Sequence, residues 1–187
     1  MSDFCGISGG IVNDCTTRQN AIGGLKTRFW LGNIDDIDTA TTLANLDGSG
    51  NITSIDFLDY ALLYKFQGIK AGNTGQDDIA ADDDGNAFFP HQFAFKIYDT
   101  TQAQRDVLED LAFSDVFVVY EDANGDFYIL GLPLGLSVES APRATGANPG
   151  DSTARLVTLT GPQTKLRKQF SAGTRAQTLA TLTDYES

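Results

Sequence analysis

The best spacing for chemistry in this chain lies between Asn45 and Asp56. Laid on a calcium-loop template, Asn45, Asp47, Ser49, Thr53 and Asp56 supply oxygens at positions 1, 3, 5, 9 and 12, with the Asn51 backbone at position 7. Gly50 falls at the sharp turn and Ile52 at the apolar position. Two departures weaken the match. Position 1 is Asn instead of Asp, and Asp56 is one methylene shorter than the Glu that usually binds in bidentate fashion. A Gly-rich turn, Asp47 to Asn51, leading into a strand from Ile52 to Phe57, is the preferred reading. Asp82-Asp83-Asp84 is the other acidic cluster, and consecutive carboxylates do not converge on a cation without a special turn, so a solvated loop is expected.

Other reactive side chains are sparse. His91 is the only histidine, and Cys5 and Cys15 are the only cysteines. Two thiols and one remote imidazole do not make a zinc site. A Cys5–Cys15 disulfide is geometrically open, but two packed thiols are expected in a reducing compartment. No Ser-His-Asp or Cys-His set stands out, and no carboxylate pair sits in an apolar setting that would separate its pKa values. Neither G-x-x-x-x-G-K-[ST] nor G-x-G-x-x-G occurs, so a nucleotide site has no support. The expectation is a protein that is not an enzyme and carries no cofactor.

The elements around these residues read as β-rich. In Phe93 to Leu130 a strand, a helix, a second strand, a tight turn and a third strand follow one another. Phe93, Phe95 and Ile97 alternate with Ala94, Lys96 and Tyr98, the period of a half-buried strand. Thr101 and Gln104 form a capping box for one flanking helix over 101–113, with Val107, Leu108, Leu111 and Ala112 on its inward stripe. Val116 to Tyr120 is an unbroken β-branched and aromatic run. Asn124-Gly125 predicts a type I′ hairpin turn before Phe127 to Leu130. Further strands are predicted at Ile11-Val12, Leu25 to Leu31, Leu136 to Glu139 and Arg155 to Gly161; the last has Val157 and Leu159 on one face. Ile55 to Ile69 is ambiguous by period and leans to strand. Residues 71–87 are polar and acidic, within a long loop or hairpin around 68–88.

Charge excludes one class of partner. The 187 residues carry a net charge of −12, which argues against binding nucleic acid through a basic face. Through Pro142 there are 22 acidic and 7 basic residues; from Arg143 onward there are 3 acidic and 6 basic. Residues 162–187 lack an apolar period and carry Lys165, Arg167, Lys168 and Arg175, which predicts an exposed C-terminal arm. Complementary charge would let such an arm dock on the acidic body of a neighbouring copy. No stretch reaches the roughly eighteen apolar residues of a membrane span, and Met-Ser-Asp-Phe-Cys lacks the pattern of a secretion signal, so synthesis in the cytoplasm is expected.

Short motifs in a fixed order carry a family resemblance. They are Asp14-Cys15, Gly23-Gly24-Leu25 and Trp30-Leu31-Gly32-Asn33; an acidic Gly turn running to Ile55; Tyr64-Lys65-Phe66; Phe89-Pro90-His91 through Ala112; a hairpin from Val119 to Gly131; and Gly135 to Gly161. In this order the chain resembles small tail tube or ring proteins of tailed bacteriophages, particularly those infecting Bacteroidota, crAss-like relatives included. Residues 162–187 lie outside the resemblance. It implies a mainly β fold, a sandwich or half-barrel of the tail-tube type, over 1–161 with the arm 162–187. It also implies a structural virion protein whose copies form a closed, commonly six-fold ring or stacked tube. Other tail or connector proteins would be its partners, phage DNA would pass through the lumen without specific binding, and no membrane would be involved. A head–tail connector, tail terminator or baseplate ring are alternative positions in the particle. A calcium-binding module built on 45–56 is the alternative from a different class.

Overall fold

Why Val116 to Tyr120 can be apolar without interruption becomes clear from the layers around it. The computed structural model describes residues 24–58, 61–81, 83, 85–143 and 153–186. Within them the chain is mainly β, two antiparallel five-stranded sheets packed face to face. Strands β1 (Leu25–Asn33), β2 (Tyr64–Gln67), β6 (Val116–Asp122), β7 (Phe127–Leu130) and β10 (Lys168–Phe170) form the first sheet, in the order β10-β7-β6-β1-β2. Strands β3 (Thr74–Asp77), β5 (Ala87–Ile97), β9 (Arg155–Gln163) and β8 (Ser137–Ser140) form the second in that order, and β4 (Ala80–Ala81) also pairs with β5.

The first sheet is covered on both faces. On its inner face Phe29, Leu31, Val118 and Tyr120 meet Phe93, Phe95, Val157 and Leu159 of the second sheet. Phe29 stands 5.0 Å from Phe93 and 4.8 Å from Phe95, centroid to centroid and tilted, the geometry aromatic quadrupoles favour. On its outer face Trp30, Phe117, Val119 and Ile129 pack under Ile37, Ile52, Ile55, Leu63, Phe170 and Leu182. A strand buried on both faces needs no polar alternation, and the Val116–Tyr120 run reports this.

Helix α1 (Thr39–Ala44) is capped by Asp38, whose carboxylate accepts from the Ala40 and Thr41 amides. Helix α2 (Gln102–Leu111) follows β5 and has the predicted capping box: Thr101 Oγ1 accepts from the Gln104 amide, and Gln104 Oε1 from that of Thr101. Leu108 and Leu111 enter the sandwich core. Val107 and Ala112, expected on the inward stripe, are exposed, because the stripe that meets the core is only one turn wide.

Several expectations are corrected. The C-terminal residues are not an exposed arm. Strand β10 pairs with β7, and helix α3 (Arg175–Asp184), capped by a Thr174–Gln177 box, buries Leu182 in the outer core layer. Residues 71–87 are not a loop throughout, since β3 and β4 fold back on β5 with Asp77 opposite His91 and Ala81 opposite Ala87. Ile52 to Phe57 is not a strand; Ile52 and Phe57 each make isolated bridges, to Leu46 and Phe170 and to Ile37. The Asn124-Gly125 turn is not type I′, which needs two residues at positive φ. Only Gly125 has one (95°), and Asp122 takes over the turn by accepting from the Asn124 and Asp126 amides. Cys5, Cys15 and Ile11-Val12 lie outside the described residues, as do Asp82 and Asp84.

Candidate functional site

The calcium-loop residues form a self-satisfied turn. Asp47 Oδ1 accepts from the Ser49 amide at 2.8 Å and the Asn51 amide at 2.9 Å, and Oδ2 accepts from Asn51 Nδ2 at 2.9 Å. These bonds, that to the Asn51 amide foremost, hold the Asp47 carboxyl below the usual carboxylate range. Thr53 Oγ1 donates to the Asn45 carbonyl, and the exposed Asp56 donates its amide to Thr42 Oγ1. Both Asp47 oxygens serve the turn's own N–H groups. Among the described residues no three His, Cys, Asp or Glu side chains gather as metal ligands would. Millimolar calcium is therefore expected to leave the melting temperature unchanged, while Asp47→Ala lowers it equally in calcium and in EDTA. A calcium-dependent rise in melting temperature that disappears with Asp47→Ala would restore the binding-module reading.

His91 sits inside β5, only 1% exposed, and its Nδ1 accepts from the Gly131 amide at 3.1 Å. Burial pushes the imidazole below its ordinary 6.5, against a weaker opposing pull from Asp77. Charging Nδ1 would also displace the Gly131 amide. The native state thus prefers neutral His91, whose contribution to stability is fully present above pH 6.5 and is lost as pH falls below it. The urea midpoint should fall between pH 7.5 and 5.0, and His91→Gln should flatten that slope. An equal slope in the variant would assign the pH dependence to other groups.

Three buried polar clusters fasten distant parts of the chain to one another. Asp99, with no exposed surface, meets Arg155 at 2.9 Å and Arg143 at 3.4 Å. Burial opposes its ionisation, but the Arg155 hydrogen bond and the two guanidinium charges prevail and hold its carboxyl low. Glu121, equally buried, binds Arg28 of β1 at 3.2 Å and the Arg175 Nε at 2.7 Å. Arg167 donates to the Tyr120 hydroxyl at 2.8 Å, pairs with Asp77 at 3.2 Å and lies 4.9 Å over the Tyr128 ring. Burial pushes the Tyr120 phenol up to about 12, partly offset by Arg167. Arg167 and Arg175 of the basic C-terminal stretch are therefore matched to carboxylates of their own subunit. Sequence reasoning missed these pairings, which join residues up to 93 apart along the chain.

What remains without a partner is a groove between β2 and α2. Two adjoining hollows of about 340 and 650 Å³ share Tyr64, Phe66 and Val107 as walls. The smaller continues to Asp110 and Ser114, the larger to Ile97 and Tyr98. Strand β2 is the last in its sheet. Its start is closed by the Leu63 amide donating to the Tyr185 carbonyl at 2.7 Å, and among the described residues no strand pairs with the outer side of Tyr64–Gln67. Tyr64 and Val107 are each 48% exposed, Tyr98 is 53% exposed, and Phe113 at the end of α2 is 94% exposed. Such concentrations of apolar surface beside an open strand edge mark association surfaces. Of the carboxylates lining the groove, Asp110 takes part in no ion pair among the described residues, and Glu186 pairs with Lys65, which lines the groove beside it.

No family model matches the chain, and no curated protein sequence matches it.

Proposed function

We propose that this chain is a structural virion protein, a subunit that assembles with copies of itself into a closed ring or tail tube for the passage of phage DNA. The observation that carries the reading is the β2–α2 groove, where an open strand edge and exposed Tyr64, Tyr98 and Val107 lie together. Isolated exposed apolar residues are ordinary; a groove lined by them beside an unpaired edge favours association. The sandwich suits a load-bearing role, because its first sheet is packed on both faces and bound through Glu121 to the start of α3. A net charge of −12 is compatible with a lumen wall that does not hold phosphate.

The motif order described above is what supports a place in the tail, with connector, terminator and baseplate rings as alternative positions. Native mass spectrometry and negative-stain images of the purified chain test the reading. A discrete oligomer of uniform diameter, six copies in the simplest case, is the expected result. A monomer persisting to about 100 µM, the weak end of specific association, would overturn it.

A further inference from the structure

The turn between β9 and β10 carries surface of a kind complementary to the groove. Thr164 to Arg167 is exposed throughout, with Leu166 42% exposed at its tip. Arg167 is engaged inside the subunit, but Lys165 and Lys168 make no ion pair among the described residues. An apolar side chain flanked by two free cations thus faces outward. The groove is mostly apolar; of the carboxylates that line it, Glu186 is paired with Lys65, and Asp110 takes part in no ion pair among the described residues.

Strand register places these two surfaces at opposite ends of the molecule. In the β5–β9 pair, Phe89 lies opposite Gln163 and Ile97 opposite Arg155. Gln163 leads directly into the basic turn, whereas Ile97 lines the groove. Eight residue steps at about 3.4 Å separate them by roughly 27 Å. Two different, complementary patches at opposite ends of a subunit make a heterologous contact, the kind that repeats around a ring or along a stack.

We propose that the basic turn Lys165–Lys168 of one subunit docks in the β2–α2 groove of the next, with Leu166 as its apolar anchor and Asp110 facing its lysines. The proposal rests on the self-assembly reading above and names the two surfaces that would meet. Opposite charge fixes which end meets which, and the desolvated leucine supplies the attraction that persists in salt.

The test uses two variants of the full chain. One carries Lys165→Glu, Leu166→Asp and Lys168→Glu in the turn; the other carries Val107→Glu and Asp110→Lys in the groove. All five residues are exposed or partly exposed, and circular dichroism should show both variants folded. By sedimentation, each alone should lose at least about thirtyfold in association constant relative to the unaltered chain, the loss typical of removing an anchor residue. Mixed, they should form 1:1 dimers and nothing larger, because one intact turn meets one intact groove while the remaining faces are blocked.

The outcomes separate the two ideas. If the unaltered chain assembles and either variant still does, or if the mixture stays monomeric, the groove belongs to another occupant and this contact is wrong, although the ring reading stands. If the unaltered chain is monomeric, the ring reading itself has failed and this contact with it.

Discussion

A chain ending at Gln163 should not fold. Removing everything beyond it deletes β10 and α3 and with them Phe170, Leu179, Leu182 and Tyr185, which cover the outer face of the first sheet. Trp30, Phe117 and Ile129 would keep only the cover of Ile37, Ile52, Ile55 and Leu63. Losing a buried Leu costs about 2–5 kcal/mol and a buried Phe about 3–5 kcal/mol, so Phe170 and Leu182 alone approach the roughly 5–15 kcal/mol by which a domain is stable. The deletion also removes Glu186, whose carboxylate accepts from Trp30 Nε1 at 2.9 Å and pairs with Lys65 at 3.0 Å. The expected readout is loss of near-ultraviolet circular dichroism and of a cooperative thermal transition. A truncated protein that melts cooperatively within a few degrees of the full chain would return these residues to the status of an arm. Leu182→Ala offers a milder version, with an expected loss of about 2–4 kcal/mol.

That helix shows where sequence reading has purchase and where it does not. The capping box at Thr101–Gln104 is legible because a clear apolar stripe follows it. Thr174–Gln177 has the same T-x-x-Q form, but Arg175 to Asp184 carries only two leucines, of which Leu182 alone is fully buried, and Thr178 fills the other buried position. Thr178 does so with its hydroxyl satisfied, donating to the Thr174 carbonyl and accepting from the Ala172 amide. A search for apolar periodicity passes over such a helix. Strands β3 and β4 are similarly silent. Thr74–Asp77 holds no large apolar residue, since Gly75 lies directly against the Tyr120 ring and a Cβ there would stand 2.9 Å from it. The central strands were legible because their burial is written in side-chain type. The groove was not, because Tyr64, Phe66 and Val107 have the same periodicity whether they face a core or a neighbour. Only placing β2 at the edge of its sheet separates these cases. Charge was only a partial guide. The basic stretch from Arg143 onward suggested attraction between copies; within it Arg143, Arg155, Arg167 and Arg175 each find a carboxylate in the same chain, which leaves Lys165 and Lys168 for such a contact.

Glu121→Ala should cost about 2–3 kcal/mol and lower the melting temperature by roughly 4–12 °C. The carboxylate has no exposed surface and binds guanidinium groups from β1 and from the first residue of α3. Breaking a buried pair typically costs about 3–5 kcal/mol. The figure is lower here because Arg28 and Arg175, 33% and 54% exposed, can regain water when their partner is gone. Arg175 has a second reason to need Glu121: a cation in the first turn of a helix opposes the helix dipole, and the buried anion cancels that repulsion. Arg175→Met should therefore cost less than Glu121→Ala, since it removes the unfavourable charge along with the pair. The double variant should be more stable than the two single losses predict, by about 0.5–1.5 kcal/mol, because both changes break the same contact. Strict additivity in that cycle would mean that α3 is held by Leu179 and Leu182 alone and that the ion pair is incidental. Non-additivity would establish that the basic C-terminal stretch is fastened by charge within the subunit, leaving Lys165 and Lys168 as the cations available to a neighbour.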